Sequence, residues 1–139
     1  MKDSSIIIGL HRVVTDLDRE TARISGRYGL TLGQFAVLEA LYHKGDLTVG
    51  QVKEAILSST GTIPVIINNL EKQNFVHRAH DPADRRRSIV QLTSSGRRLI
   101  EKVYPENEQM FRDKFSVWSK DEQRELLRLL LKYRDAVND

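Results

Sequence analysis

The sequence predicts a mainly α fold with a single small β-wing, and three observations lead to it. Apolar residues fall into six helical stretches along the 139 residues, the first with steps of three, four or seven. Thr31 with Gln34, Thr48 with Gln51 and Ser119 with Glu122 repeat one helix-start signal. In it a hydroxyl and a side chain three residues on satisfy free backbone donors. Two stretches, "FVHRAH" and "SIVQL", instead read as strands, being short, rich in β-branched or aromatic residues, and separated by Asp81-Pro82-Ala83-Asp84.

Taken in order, Ile6, Leu10, Val13, Leu17 and Ile24 define a first amphipathic helix ending near Tyr28-Gly29. The Thr31 signal opens a second helix with Leu32, Phe35, Leu38 and Leu41 inward, stopping near "HKGD", where Gly45 can take a left-handed backbone. The Thr48 signal opens a short third helix carrying Val52 and Ile56. "SSTGTIPVIINNLEKQ" is the fourth, with Ile63, Ile66, Ile67 and Leu70 as its buried stripe. Proline is tolerated in a first turn but not in an interior, so Pro64 places the N-cap near Thr60 to Thr62, and Asn74 is the expected terminator. After the hairpin, a long helical pattern runs from Thr93 through Leu99, Val103, Met110 and Phe115, with a kink or division expected at Pro105. The last helix, Lys120 to about Val137, carries Leu126, Leu127, Leu129, Leu130, Leu131 and Tyr133. That surface is wider than the stripe a surface helix needs, which predicts a second packing partner. No internal repeat, low-complexity tract or flexible linker interrupts the chain, and residues 1–139 are expected to form one domain.

Composition narrows the function. An apolar fraction of 40% and a charged fraction of 29% are globular values. Net charge is only +3, yet Lys72 to Arg98 holds seven basic residues against Asp81 and Asp84, +5 in one stretch, leaving −2 for the remainder. A local basic patch on a near-neutral protein points to a directed anionic partner. The absence of cysteine excludes disulfides, thiolate metal sites and thiol redox sensing. The start "MKDSSIIIGLHRVVTDLDRE" has the pattern of neither a signal peptide nor a membrane span, so a soluble cytoplasmic protein is expected.

Two short helices joined by a tight turn and followed by a hairpin make a winged helix-turn-helix, whose second helix enters the DNA major groove. The same arrangement accounts for Arg85, Arg86 and Arg87 standing side by side. On an exposed hairpin tip beside a duplex, phosphates neutralise them and a narrow minor groove attracts guanidinium groups.

The run "NNLEKQNFVHRAHDPADRRRSIVQLTSSGRRL" strongly resembles the signature of the MarR (multiple antibiotic resistance regulator) family. The matching pieces are Leu70-Glu71-Lys72 closing the recognition helix, Asp84-Arg85-Arg86 at the wing, and Leu92-Thr93 with Gly96 opening the long helix. The resemblance implies a homodimeric transcription factor on double-stranded DNA, generally a repressor, released by a small aromatic effector. Residues 31–93 would form the winged lobe, and 1–30 with 94–139 the dimerisation helices. It further implies that Arg86 enters the minor groove while Asp84 orients its side chain, with Arg85 and Arg87 on phosphates. The exposed side of the recognition helix would then lie in the major groove. Ser59 and Thr60 at its start, with Thr62, would contact phosphates, Val65 a thymine methyl, and Asn69 adenine. The sequence departs from many relatives at Pro64-Val65, where a threonine and a basic residue are common, which shifts weight toward methyl contacts, DNA shape and the wing.

Other chemistries find little support. His11, His43, His77 and His80 include no His-x-x-x-His pair, and His77 and His80 fall on opposite faces of one strand, so no metal and no other cofactor is expected. No nucleophile elbow, glycine-rich phosphate loop or nucleotide fingerprint occurs, which argues against an enzyme. His11, Phe35 and Phe111 are read as packing or solvent-facing residues, and no effector-binding residue is assigned. The competing readings are a winged helix that binds an acidic protein partner instead of DNA, and a metal-responsive regulator.

Overall fold

The computed structural model describes residues 1–56 and 62–138. In chain order these form α1 (Asp3–Gly26), α2 (Leu32–Lys44), β1 (Leu47–Thr48), α3 (Val49–Ala55), α4 (Ile63–Lys72), β2 (Val76–His80), β3 (Ser88–Leu92), α5 (Ser94–Phe115) and α6 (Lys120–Asn138). They fall into two compact units, Met1–Asn107 and the residues from Glu108 onward.

The helix starts follow the sequence signals. Thr31 Oγ1 accepts the Gln34 N–H at 3.1 Å while Gln34 Oε1 accepts the Thr31 N–H at 3.0 Å. The Thr48–Gln51 and Ser119–Glu122 pairs close the same reciprocal bonds. Gly45 ends α2 with φ +83°, and Asn74 follows α4 with φ +63°, a conformation that asparagine tolerates better than most residues.

β1 is an addition to the expected hairpin. Leu47 pairs with Val90 and Thr48 with Ile89, so the sheet is antiparallel in the order β1-β3-β2. Two residues are too short to show an alternating pattern, and Thr48 is at once a strand residue and the N-cap of α3.

The core of the first unit is built on α2, whose Val37, Leu38 and Leu41 are almost wholly enclosed. Val52 reaches it from α3, Ile63, Ile67 and Leu70 from α4, Val76 and Val90 from the sheet, and Ile100 and Val103 from α5. Ile66 is only half-buried, so the inward stripe of α4 is narrower than the sequence suggested. α1 joins this unit through its C-terminal turns, where Ile24 is buried and Thr21 Oγ1 donates to Asn107 Oδ1 at 2.8 Å.

α5 is not divided at Pro105. The missing N–H would have bonded the Glu101 carbonyl, and both residues are exposed, on the side of the helix where a freed carbonyl can turn to solvent. In contrast, the first half of α1 exposes Ile6, Ile7, Leu10, Val13 and Val14, and α6 has no buried residue. Among the described residues, no helix is long and apolar enough to cross a membrane.

α4, the sheet and α5 meet at one close approach. The Phe75 carbonyl accepts the Thr93 N–H at 3.1 Å, Asn74 O accepts the Thr93 hydroxyl at 2.7 Å, and that hydroxyl accepts the Gly96 N–H at 2.9 Å. A methyl group on Gly96 would lie 2.0 Å from the Phe75 carbonyl oxygen. Gly96→Ala therefore pits a helix-propensity gain of about 1 kcal/mol against backbone overpacking. The clash wins, and we expect a net loss of about 2 kcal/mol, read as a fall of several degrees in Tm. An unchanged Tm would show that α5 is not pinned at this point.

Candidate nucleic-acid interface

α3 and α4 form the helix-turn-helix, and their facing sides are apolar: Val52 on α3, and Ile63, Ile67 and Leu70 on α4. With that stripe committed inward, the opposite side of α4 must face solvent. Thr62, the N-cap residue, Val65 (54% exposed) and Asn69 are all exposed there. Ser59 and Thr60, the other two residues expected at this helix start, lie outside the described residues.

The wing is a hairpin whose tip is organised by its own acids. Asp81 Oδ1 accepts the Ala83 N–H at 2.9 Å, and Asp84 Oδ1 accepts the Arg86 N–H at 3.1 Å. The Asp81 N–H donates to the Arg87 carbonyl at 3.0 Å, closing the loop. These turns present the arginines differently. Arg86 lays its guanidinium along Asp84, with Nε 3.2 Å from Oδ1 and Nη2 3.4 Å from Oδ2. Its side chain is nonetheless 91% exposed, against 33% for Asp84. Arg87 Nε stands 3.9 Å from Asp81 Oδ2, while Arg85 lies beside a groove formed with His80, Asp81 and Pro82. The Arg86 side chain, then its backbone N–H, hold the Asp84 carboxyl below the usual carboxylate range, so it is ionised at neutral pH. Like-charge repulsion in the arginine run is thus relieved locally, and the guanidinium of Arg86 is held in the open by its neighbour.

One basic residue counted in the patch behaves differently. Arg78, on β2, donates from Nη2 to Asn68 Oδ1 on α4, and its Nε lies 3.9 Å from Glu71 Oε1. It braces the wing against the helix. The sequence signal for this was alternation: Arg78 is two residues from buried Val76, hence on the strand face that meets α4. The sequence reading missed Asn68 entirely, because adjacent Asn68 and Asn69 are both exposed and periodicity does not separate them. A second tie, Gln91 Nε2 to Asp46 Oδ2 at 2.8 Å, joins β3 to the turn before β1.

The described residues contain no group of three His, Asp or Glu side chains placed to hold a metal. What the surface offers is an exposed polar helix face beside a cationic hairpin. That pairing suits a polyanion with grooves.

Known proteins share this fold. The sequence profile of the MarR family matches residues 28–87. The HTH-type transcriptional regulator MhqR of Bacillus subtilis is 31% identical over 121 residues, covering 87% of this chain and 83% of MhqR. Among solved structures, BpsR of Bordetella bronchiseptica, whose DNA binding is regulated by 6-hydroxynicotinic acid, superposes with a TM-score of 0.80 at 29% identity, over 96% of this chain and 94% of that one. Wild-type MarR of E. coli in its apo form has the same fold, with a TM-score of 0.74 at 23% identity over 96% of each chain. The winged helix-turn-helix, the capped helices around it and these likenesses together place the chain in the MarR family of DNA-binding transcriptional regulators.

Proposed function

We propose that this chain is a homodimeric repressor, not an enzyme, that binds an inverted-repeat operator in double-stranded DNA and is released by a small aromatic effector. The observation that carries the reading is the pairing of an exposed α4 face with an Arg86 guanidinium held out by Asp84. In this reading Thr62, with Ser59 and Thr60, contacts phosphates, while Val65 and Asn69 meet base edges in the major groove. Arg86 enters the adjacent minor groove, and Arg85 and Arg87 neutralise flanking phosphates. Residues 31–93 are the DNA-binding lobe; 1–30 and 94–139 supply the dimer contacts. The apolar side chains left exposed on α1, and separately on α6, support the second assignment, because monomeric proteins rarely leave such stretches open. The regulation of BpsR by an aromatic acid supports the effector class. No cofactor enters the scheme, and a cytoplasmic location follows from the DNA target.

Footprinting tests the core of this reading. Two-fold symmetry requires protection of two inverted half-sites with centres about 10 bp apart, one helical turn. Protection of a single asymmetric half-site would contradict it. Leu10→Glu with Val13→Glu, both exposed on α1, should leave helical content intact yet sediment as a 16.0 kDa monomer with at least about tenfold weaker operator binding. Wild-type-like dimers from that variant would move the interface elsewhere.

The three arginines should respond differently to substitution. Arg85→Ala and Arg87→Ala should weaken operator and random DNA alike, each lowering the salt slope by about one. Arg86→Ala should hurt the operator more than random DNA, because groove width varies with sequence. Asp84→Ala should also weaken operator binding, although it removes a negative charge from the tip. Tighter operator binding by Asp84→Ala would show that the run acts only as a positive patch.

A further inference from the structure

The contact between Arg78 and Asn68 bears on sequence preference. An asparagine side chain is ordinarily ambiguous, offering a carbonyl acceptor and an N–H2 donor that a flip interchanges. Arginine resolves the ambiguity, since a guanidinium has no acceptor and the atom it meets must be the amide oxygen. In this structure Arg78 Nη2 donates to Asn68 Oδ1, and Glu71 Oε1, 3.9 Å from Arg78 Nε, keeps the guanidinium between strand and helix. The side chain of Arg78 is only 31% exposed, whereas Asn68 is an exposed residue of the recognition helix. With its oxygen turned toward β2, the planar amide must turn its nitrogen away from the wing.

Resting on the DNA-binding reading above, we propose that Asn68 is a specificity-determining residue that reads one base as a hydrogen-bond donor, and that Arg78 is the positioning residue that makes it one. A free asparagine matches adenine, pairing its acceptor with N6–H2 and its donor with N7. An asparagine whose oxygen is turned to the wing presents its N–H2 outward and matches edges that only accept: O6 and N7 of guanine, or O4 of thymine. The brace thus turns a residue type suited to adenine against it.

The test is selection of binding sites from random double-stranded DNA by the full-length protein and four variants, each checked for native helical content. Wild type should enrich guanine or thymine at one symmetric position of each half-site. Asn68→Ala should lose preference there alone, bind the wild-type site about tenfold more weakly and keep its salt slope, since no charge is removed. Arg78→Met frees the amide and should shift that position toward adenine; Arg78→Lys retains a donor to Oδ1 and should keep the wild-type base. Should Arg78→Met not fold, Asn68→Asp serves, because an acceptor-only group should shift the position toward cytosine, whose N4 donates. An enriched wild-type site that Asn68→Ala leaves unchanged, or an Arg78→Met that weakens binding without changing the base, overturns the inference while leaving DNA binding intact. A wild-type protein that enriches no sequence overturns the DNA-binding reading itself.

Discussion

The carbonyl of Phe75 is the point on which the placement of the wing against α4 depends. It follows directly on Asn74, whose left-handed backbone turns the chain out of α4, and it accepts the N–H of Thr93, where the second wing strand gives way to α5. Helix, both strand roots and the next helix are therefore fixed by one peptide group and the hydroxyl of Thr93, which bonds Asn74 O on one side and the Gly96 N–H on the other. Gly96 is small because α5 passes against that carbonyl. The orientation of the wing relative to α4 follows from this joint, and Arg78 braces it a second time further out along β2.

Charge on the wing obeys a similar economy. Three adjacent arginines would repel one another on an unstructured loop, yet the tip supplies an acid to two of them, and the same two acids cap its backbone turns. Asp84 is accordingly a structural residue and an electrostatic one at once, held ionised by the group it orients. An exposed ion pair of this kind adds little to folding stability. Its effect is on where a guanidinium points, a matter of conformational entropy spent before any partner arrives.

Much of this was legible in the sequence because the signals were local. Capping boxes depend on two residues three apart, and all three formed; the hairpin showed itself through two short runs rich in β-branched or aromatic residues around an Asp-Pro-Ala-Asp tip. Long-range features were not legible. β1 has two residues and no period, so its pairing with Val90 depends on a partner forty-odd residues on. Pro105 carried a local rule that allows either a kink or a break, and which of them is avoided depends on the surroundings: α5 continues through it, with Glu101 exposed one turn earlier. On α4, the exposure of Val65 and Asn69 followed by subtraction from the buried stripe, whereas the bond of Asn68 depends on Arg78, ten residues away on another element.

The route from the N-terminal helix to α4 and the wing is also defined by these contacts. α1 is attached to α5 by the buried Thr21–Asn107 hydrogen bond and by Glu106, which accepts from Arg27 at 2.7 Å and from the Tyr28 hydroxyl. Burying a hydroxyl and an amide is costly unless they meet each other, so Thr21 and Asn107 admit few relative placements of the two helices. From there α5 runs without interruption back to Gly96 and the Phe75 carbonyl. No loop lies along that path to absorb a displacement. A change in the seating of α1 on α5 must either break the buried polar pair or be carried by α5 toward the root of the wing. On that path it passes Pro105, the one place where the helix lacks a hydrogen bond and can bend.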